Sequence, residues 1–227
     1  MSGPRALVIA HRGASAYEYE NSRAAFRVAR VRGADAVELD IHASADGTLF
    51  VHHDEVVAGV HLTRANSAQV RALRLPNGES VPTLEDALAA IDPALRVFVE
   101  VKSLPPAFDD RLLAILDASR GRCAVHGFDH RIVKRLGLAR PDLPRGVLLA
   151  SYPLRPLDAL QDTGARVLWE DQALIDGELI QTLHGAGDQI YGWTVNDPED
   201  MRRLLALGVD GLCTNVPDVA RQAMDAA

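Results

Sequence analysis

The chain has 227 residues, of which 48% are hydrophobic and 24% charged, and its formal net charge is −7 at pH 7. A chain of this length can bury one large apolar core, so we predict a single domain over residues 1–227. Nucleic-acid binding depends on clustered Lys and Arg, so the acidic balance argues against a nucleic acid as the main partner.

The first predicted strand, residues 6–11, contains the apolar run nearest to the start of the chain. This run is shorter than the hydrophobic segment of a secretory signal and far too short to span a bilayer. We therefore expect a cytoplasmic protein with no stable membrane insertion. Cys123 and Cys213 lie far apart in apolar stretches, which is typical of buried thiols. The sequence leaves the oligomeric state open.

Short runs rich in Val, Ile and Leu alternate along the chain with longer amphipathic stretches. This pattern is typical of parallel strands covered by helices. The eight predicted strands lie near residues 6–11, 36–42, 96–102, 123–129, 145–150, 166–170, 190–195 and 210–214. Eight such units in a chain of this length predict an α/β fold, a (β/α)₈ TIM barrel.

Three predicted helices have recognisable ends. One begins at Ser22 and closes at Gly33, a residue that adopts the left-handed conformation at little cost. Thr83 approximates a capping box with Asp86, three residues on. A helix near the C-terminus begins at residues 196–198, an Asn-Asp-Pro sequence suited to a first turn, and closes at Gly208.

Residues 43–82 contain more material than a barrel crossover needs. A turn at Asp46-Gly47 precedes a short apolar run, residues 48–53, which we interpret as one strand of a small hairpin after the second barrel strand. The rest of the segment is a polar loop without an assigned structure. Elaborated loops at a barrel mouth usually shape access to the site.

Glu38 and Asp40 lie two positions apart on one predicted strand, so both side chains point to the same face. Glu100 lies in the same way on the next strand. Carboxylates gathered inside a barrel repel one another unless they are protonated, paired with cations or bound to a metal, and Mg²⁺ and Ca²⁺ prefer oxygen ligands. The alternative is a structural charge network with Arg12 and Lys102. Buried ion networks stabilise weakly, so the cluster favours function.

His11 ends the first strand and His53 ends the hairpin strand. Imidazoles titrate near neutral pH and suit proton exchange with a nucleophile and a leaving alkoxide. Taken singly, each is more often a structural residue. The other six histidines have no spacing that relates them to the carboxylates, and we interpret them as structural: His42, His52, His61, His126, His130 and His184.

The motifs together resemble the glycerophosphodiester phosphodiesterase family over roughly the first hundred residues. They are His-Arg-Gly at 11–13, Glu-Asn-Ser at 20–22, Glu-x-Asp at 38–40, Asp-Gly leading to His-Asp at 46–54, and Glu-x-Lys at 100–102. Weaker agreement extends to residues 192–196 and 210–217.

The resemblance implies an enzyme that uses a divalent metal ion, Mg²⁺ or Ca²⁺, to hydrolyse small glycerophosphodiesters to sn-glycerol 3-phosphate and an alcohol. It implies roles for nine residues: His11 and His53 as the catalytic pair, Glu38, Asp40 and Glu100 as metal ligands, Arg12 and Lys102 on the phosphate, Trp193 on the glycerol, and Glu20 in support of the mouth. Trp193 remains open to interpretation as a core aromatic residue.

Departures from the family pattern affect the alcohol more than the chemistry. They are Tyr19, Gly127, Asn215 and Glu170. Two alternatives stay open: a lysophospholipase D-like or cyclising phospholipase, and a non-catalytic phosphate-binding barrel. A lipid enzyme needs apolar residues in its mouth loops, and residues 43–82 contain Phe50 as their one aromatic, which favours a soluble headgroup. Both histidines are retained, which favours catalysis. The sequence leaves open which histidine is the acid and whether water or the substrate's own glycerol hydroxyl attacks.

Overall fold

A computed structural model describes residues 5–119 and 122–226. Eleven strands occur in these ranges. In chain order they are β1 (Leu7–His11), β2 (Ala36–Ala43), β3 (Leu49–Val51), β4 (Val56–Val57), β5 (Val60–His61), β6 (Arg96–Ser103), β7 (Cys123–His126), β8 (Gly146–Leu149), β9 (Val167–Asp171), β10 (Gln189–Trp193) and β11 (Gly211–Thr214).

Eight parallel strands form a nearly closed barrel, in the order β7-β6-β2-β1-β11-β10-β9-β8. The two ends of this order meet between β7 and β8. They are joined by a parallel bridge between Val125 and Arg145 and by a 3.2 Å hydrogen bond from the Leu148 N–H to the Gly127 carbonyl. The predicted (β/α)₈ barrel is confirmed.

Helices follow the barrel strands. They are α1 (Arg23–Val28), α2 (Ser67–Arg71), α3 (Leu84–Ala90), α4 (Asp109–Ala118), α5 (His130–Ala139), α6 (Asp158–Thr163), α7 (Gly177–Gly185), α8 (Pro198–Leu207) and α9 (Pro217–Asp225), with short 3₁₀ turns at Pro106–Phe108 and Gln172–Leu174. Within the described ranges, no helix is both long and apolar enough to cross a bilayer.

The predicted helix ends are mostly confirmed. Thr83 and Asp86 form a full capping box before α3, and Gly208 closes α8 in the left-handed conformation. The prediction for α1 was wrong at its C-terminal end. The regular helix stops at Val28, and tight turns continue to Gly33, where the Ala29 and Gly33 N–H groups each bond a carbonyl three residues back.

Strand β7 is also shorter than predicted and ends at His126 instead of residue 129. Gly127 passes so close to β6 that a Cβ there would lie 3.1 Å from the Val101 carbonyl oxygen. Asp129 then caps α5 by accepting a hydrogen bond from the Arg131 N–H. The close approach and the cap therefore end the strand.

Side-chain alternation on β2 separates two environments. Val37, Leu39 and Ile41 are fully buried against the helices. Glu38 and Asp40 point to the barrel interior, as the two-residue period of a strand requires. The lower interior is filled by aromatic and aliphatic side chains that include Phe98, Trp169 and Tyr191. Polar side chains consequently occupy the upper interior, at the carboxyl ends of the strands. Cys123 and Cys213 are buried and unpaired, as predicted.

The segment after β2 forms the predicted hairpin and then a small subdomain. Strand β3 pairs antiparallel with β2, and Gly47 has a φ of 78° in the turn between them. The β4–β5 hairpin and helix α2, which the sequence analysis left unassigned, follow it. An apolar cluster around Phe50, Leu62 and Val70 joins these pieces to the barrel.

Candidate active site

The candidate site is built by strand register at the carboxyl ends of β1, β2, β6 and β7. Aligned residue pairs on adjacent strands bring the charged groups together: His11 with Glu38, Asp40 with Glu100, and Glu100 with His126. This end of a parallel barrel is where active sites lie.

All of these side chains except that of Asp40 line a cavity of about 80 Å³. Its lining includes seven acidic, basic or histidine residues: His11, Arg12, Glu38, His53, Glu100, Lys102 and His126. A larger cavity of about 510 Å³ lies at the amino ends of the strands, and its lining contains no carboxylate or histidine among the described residues. The side chains suited to acid–base and metal chemistry therefore lie at the smaller cavity.

Arg12 organises the mouth of the cavity. Its backbone has a φ of 56°, and its N–H donates a 3.0 Å hydrogen bond to Glu38 Oε2. Its guanidinium donates to both Glu20 oxygens at 2.9 and 3.0 Å and lies 3.3 Å from Asp40 Oδ2. Glu20 thus holds Arg12 from the solvent side.

Asp40 is the most strongly paired carboxylate. Lys102 Nζ lies 3.3 Å from its Oδ1, and Asn21 Nδ2 donates a 2.8 Å bond to its Oδ2. Burial alone raises a carboxyl pKa, but Lys102 and Arg12 outweigh burial and lower the pKa of Asp40 to about 2. Asp40 is therefore ionised near neutral pH.

In Glu38 and Glu100, the cationic neighbours do not outweigh the effect of burial on the carboxyl pKa. Burial and the neighbouring Asp40 charge raise the pKa of Glu100 to about 7 and the pKa of Glu38 well above its ordinary range. Lys102 Nζ lies 2.7 Å from Glu100 Oε1. Carboxylates in this condition take either a proton or additional positive charge, so a divalent cation fits the site.

The residues able to hold a cation include one that the sequence analysis set aside. Glu38, Glu100 and His126 each offer one ligand atom, and these atoms lie within 4.8 Å of one another. Asp40, a predicted ligand, contributes its charge beside them. His126 Nδ1 is buried without a hydrogen-bond partner among residues 5–119 and 122–226.

His11 is positioned by the loop after β11. Its Nδ1 donates a 2.7 Å hydrogen bond to Asn215 Oδ1, and Ser15 Oγ lies 3.0 Å from the same oxygen. Burial and the nearby Arg12 charge lower the pKa of His11 to about 4. The ring is consequently neutral near pH 7, and with its proton on Nδ1 it offers Nε2 as a base.

His53 lies opposite, after β3. Its Nδ1 donates a 2.8 Å bond to Asp54 Oδ1, and its carbonyl accepts a 3.1 Å bond from His42 Nε2. About a third of its side chain is exposed. His42, interpreted from sequence as structural, thus fixes the backbone that presents His53.

The apolar side of the cavity comes from two aromatic residues. Trp193 is half-buried at the end of β10 and packs edge-to-face on Phe128, with ring centroids 5.7 Å apart. Lys102 Nζ lies 5.9 Å from the Phe128 ring centre. Trp193 therefore faces the cavity while it packs against the aromatic interior.

The sequence analysis missed Asn21 and His126. Asn21 stands inside the Glu20-Asn21-Ser22 motif, and its φ of 53° places the amide on Asp40. His126 aligns with Glu100 across β6 and β7, a register that the sequence does not reveal. Two features of the sequence could have identified them. Asn21 lies between two motif residues, and His126 is a histidine on a barrel strand.

Comparison with known proteins gives a consistent result. A sequence model described as the glycerophosphoryl diester phosphodiesterase family matches residues 11–219. A glycerophosphodiester phosphodiesterase of Caldanaerobacter subterraneus is 31% identical over 235 residues, covering 94% of this chain and 96% of that protein. One from Arabidopsis thaliana is 30% identical over 242 residues, covering 96% of this chain and 73% of that protein.

Solved structures with the same fold include two related proteins. A glycerophosphodiester phosphodiesterase from Parabacteroides distasonis has a TM-score of 0.89 at 24% identity and covers 99% of both chains. An Oleispira antarctica phosphodiesterase in complex with the product sn-glycerol-3-phosphate has a TM-score of 0.88 at 21% identity over 97% of both chains. At these identities the likeness concerns the fold.

Proposed function

The chain belongs to the glycerophosphoryl diester phosphodiesterase family, and we propose that it hydrolyses glycerophosphodiesters to sn-glycerol 3-phosphate and an alcohol at the cavity lined by His11 and Glu38. The observation that supports this site is the convergence of two histidines, two cationic side chains and three carboxylates at the carboxyl end of the barrel. The family match over residues 11–219 also supports one catalytic domain over residues 1–227.

Two histidines carry the proton transfers in this proposal. His11, neutral and with Nε2 available, accepts the proton of the attacking hydroxyl. His53, oriented by Asp54, donates a proton to the departing alkoxide. The attacking hydroxyl is water or the substrate's own glycerol hydroxyl, and both need the same base.

The cationic groups act on the phosphoryl oxygens. Arg12 and Lys102 line the cavity and are each tethered to carboxylates, so they are preorganised to stabilise charge that develops in the transition state. A divalent cation held by Glu38, Asp40 and Glu100 would supply further charge neutralisation there. Oxygen ligands by themselves favour Mg²⁺ or Ca²⁺. Glu20 orders Arg12, and Trp193 offers an apolar face to the glycerol.

A second candidate activity, on lysophospholipids, has one specific observation in its favour. The sequence analysis looked for apolar mouth residues in residues 43–82, but they occur in other loops. Phe128, Tyr152 and Leu154 follow β7 and β8 and are 47%, 38% and 95% exposed. These loops lie at the carboxyl ends of the strands, the same end of the barrel as the cavity.

A substrate panel separates the candidates. Purified protein is assayed against glycerophosphocholine, glycerophosphoethanolamine, glycerophosphoglycerol and lysophosphatidylcholine after chelation, with Mg²⁺, Ca²⁺, Mn²⁺, Co²⁺ or Zn²⁺ restored. We expect release of sn-glycerol 3-phosphate from the soluble diesters only when a divalent ion is present. A faster reaction with lysophosphatidylcholine would favour the lipid activity. A cyclic phosphate product would show that the substrate's own glycerol hydroxyl attacks. No turnover with any ion would favour a non-catalytic phosphate-binding barrel.

We propose a small-molecule glycerophosphodiester as the binding partner and a cytoplasmic enzyme that does not bind nucleic acid. Fractionation of cells that produce the tagged protein tests the location.

A further inference from the structure

His126 is a buried histidine that the reaction described above does not use. It ends β7 and aligns in register with Glu100 on β6, so both side chains enter the same cavity. One of its ring nitrogens lies within 4.8 Å of a carboxylate oxygen of both Glu38 and Glu100. All three side chains are buried, with exposures of 1, 2 and 8% respectively.

The His126 imidazole is held in place by stacking, but one of its ring nitrogens lacks a hydrogen-bond partner among the described residues. Its ring stacks on Trp169 at a centroid distance of 4.2 Å and an angle of 8° between the planes. Its Nδ1 has no hydrogen-bond partner among residues 5–119 and 122–226. Buried polar groups are nearly always paired, because an unpaired one costs free energy.

Asp40 is less available as a ligand than its position suggests. One of its oxygens lies 3.3 Å from Lys102 Nζ, and the other accepts from Asn21 and lies 3.3 Å from Arg12 Nε. A cation bound near Asp40 would have to compete with these groups. The ligand atoms that lie close together are those of Glu38, Glu100 and His126.

We propose that His126 contributes a nitrogen ligand to the cation site and makes the protein select Co²⁺ or Zn²⁺ over Mg²⁺ and Ca²⁺. Hard ions gain little when an oxygen is replaced by an imidazole, whereas later first-row ions bind imidazole well. The proposal rests on the proposed function only in requiring a divalent cation at this cavity. The nitrogen ligand changes the metal preference, because the carboxylates alone would favour Mg²⁺ or Ca²⁺.

Metal affinity measured by competition with an indicator dye tests the selectivity. The parent protein is stripped with chelator and compared with His126→Gln, which replaces the nitrogen donor with an oxygen donor of similar size. We expect Co²⁺ and Zn²⁺ affinity to fall by roughly 10- to 100-fold in His126→Gln and Mg²⁺ affinity to change little. His130→Gln is the matched control, because His130 bonds the Leu148 carbonyl and does not line the cavity.

Nitrogen-15 NMR of the imidazoles in the parent protein tests coordination without any variant. Saturation with Zn²⁺ should shift one ring nitrogen of His126 and leave those of His130 in place. This measurement decides the matter if His126→Gln does not fold.

Failure of this inference can be distinguished from failure of the proposed function. Tighter binding of Mg²⁺ than of Zn²⁺ in the parent, or an unmoved His126 signal, overturns the nitrogen ligand while the phosphodiesterase assay still succeeds. A parent protein that binds no divalent ion overturns both the inference and the metal-dependent mechanism.

Discussion

The two histidines at the cavity differ in their surroundings, and this difference underlies the roles proposed for them. His11 is buried, neutral near pH 7 and bonded through Nδ1 to an uncharged amide. His53 is partly exposed and bonded through Nδ1 to the carboxylate of Asp54. This contrast in burial and hydrogen-bond partner supports the proposal that His11 is the base and His53 the acid.

The first prediction separates acid from base by the leaving group. His11→Ala and His53→Ala should each lower turnover of glycerophosphodiesters by roughly 10² to 10⁴. A nitrophenyl phosphodiester needs no protonation of its leaving oxygen, so it should restore the rate of His53→Ala but not that of His11→Ala. Single-turnover kinetics on both substrates measure this. Rescue of His11→Ala instead would exchange the two roles, and near-normal turnover of both variants would remove them from the mechanism.

The second prediction concerns the amide that orients His11. Asn215→Asp places a negative charge 2.7 Å from Nδ1 and should raise the pKa of His11 from about 4 toward its ordinary 6.5, because an adjacent carboxylate stabilises the imidazolium. Imidazole NMR shifts followed against pH measure this pKa. Ser15→Ala is the control, since it removes a contact to the same oxygen without adding charge. An unchanged pKa in Asn215→Asp would show that Asn215 does not set the state of His11.

Residues were predictable where the signal was local. Glu38 and Asp40 were placed on one interior face because a strand repeats every two residues. His126 was not placed beside Glu100, because that contact depends on the register of two strands about 25 residues apart in sequence. Asp40 was predicted as a metal ligand, with pairing to Arg12 and Lys102 as the alternative, and the Lys102 contact is present. Its hydrogen bond with Asn21 depends on three-dimensional contacts that no spacing rule supplies.

At the level of elements, the β2–β3 hairpin positions His53 at the cavity. The turn needs Gly47 for two reasons: its φ is 78°, and a Cβ there would lie 2.5 Å from the ring of Phe108. Gly59, in the β4–β5 hairpin, has a similar φ of 81° with nothing within 4 Å of a Cβ. The two glycines therefore differ mainly in the space around them.

The third prediction uses this pair. Gly59→Ala should lower the free energy of unfolding by about 1–2 kcal/mol through backbone strain. Gly47→Ala should lose a further ~1–3 kcal/mol through the clash with Phe108, and its turnover should fall because His53 follows the displaced strand. Urea denaturation and kcat measure the two effects. Equal losses of stability in the two variants would show that Phe108 moves aside without cost.

Elements were predictable where end signals coincide with periodicity. The capping box of α3 and the glycine that closes α8 were identified from sequence because caps satisfy backbone groups locally. The early ends of α1 and β7 were not, since tight turns and the close approach of Gly127 to β6 interrupt the elements there. The small β4–β5 hairpin and α2 had too few residues to show a period.

For the whole molecule, the buried charges relate function to stability. Glu100 has a pKa of about 7 in the folded, metal-free protein, raised by burial and by Asp40 from an ordinary 4.5. The folded state therefore holds a proton between pH 4.5 and 7 that the unfolded state has released, and the stability from this group is lost as pH rises through about 7. His11 and His126 have lowered pKa values, about 4 and 3, so their contribution is lost as pH falls below 6.5.

The fourth prediction separates the contribution of Glu100 to pH-dependent stability from the opposite contributions of His11 and His126. Glu100→Gln should be stabilised relative to the parent as pH rises from 5 to 8, by about 3 kcal/mol in metal-free protein at about 1.4 kcal/mol per pKa unit. Urea titrations with chelator at each pH measure this difference. Saturating divalent ion should reverse the order, because only the parent keeps all the carboxylates of the proposed cation site and a ligand stabilises the state that binds it. A difference that stays constant with pH would mean that Glu100 is already ionised through its contact with Lys102, and that the barrel tolerates the carboxylate cluster without a cation.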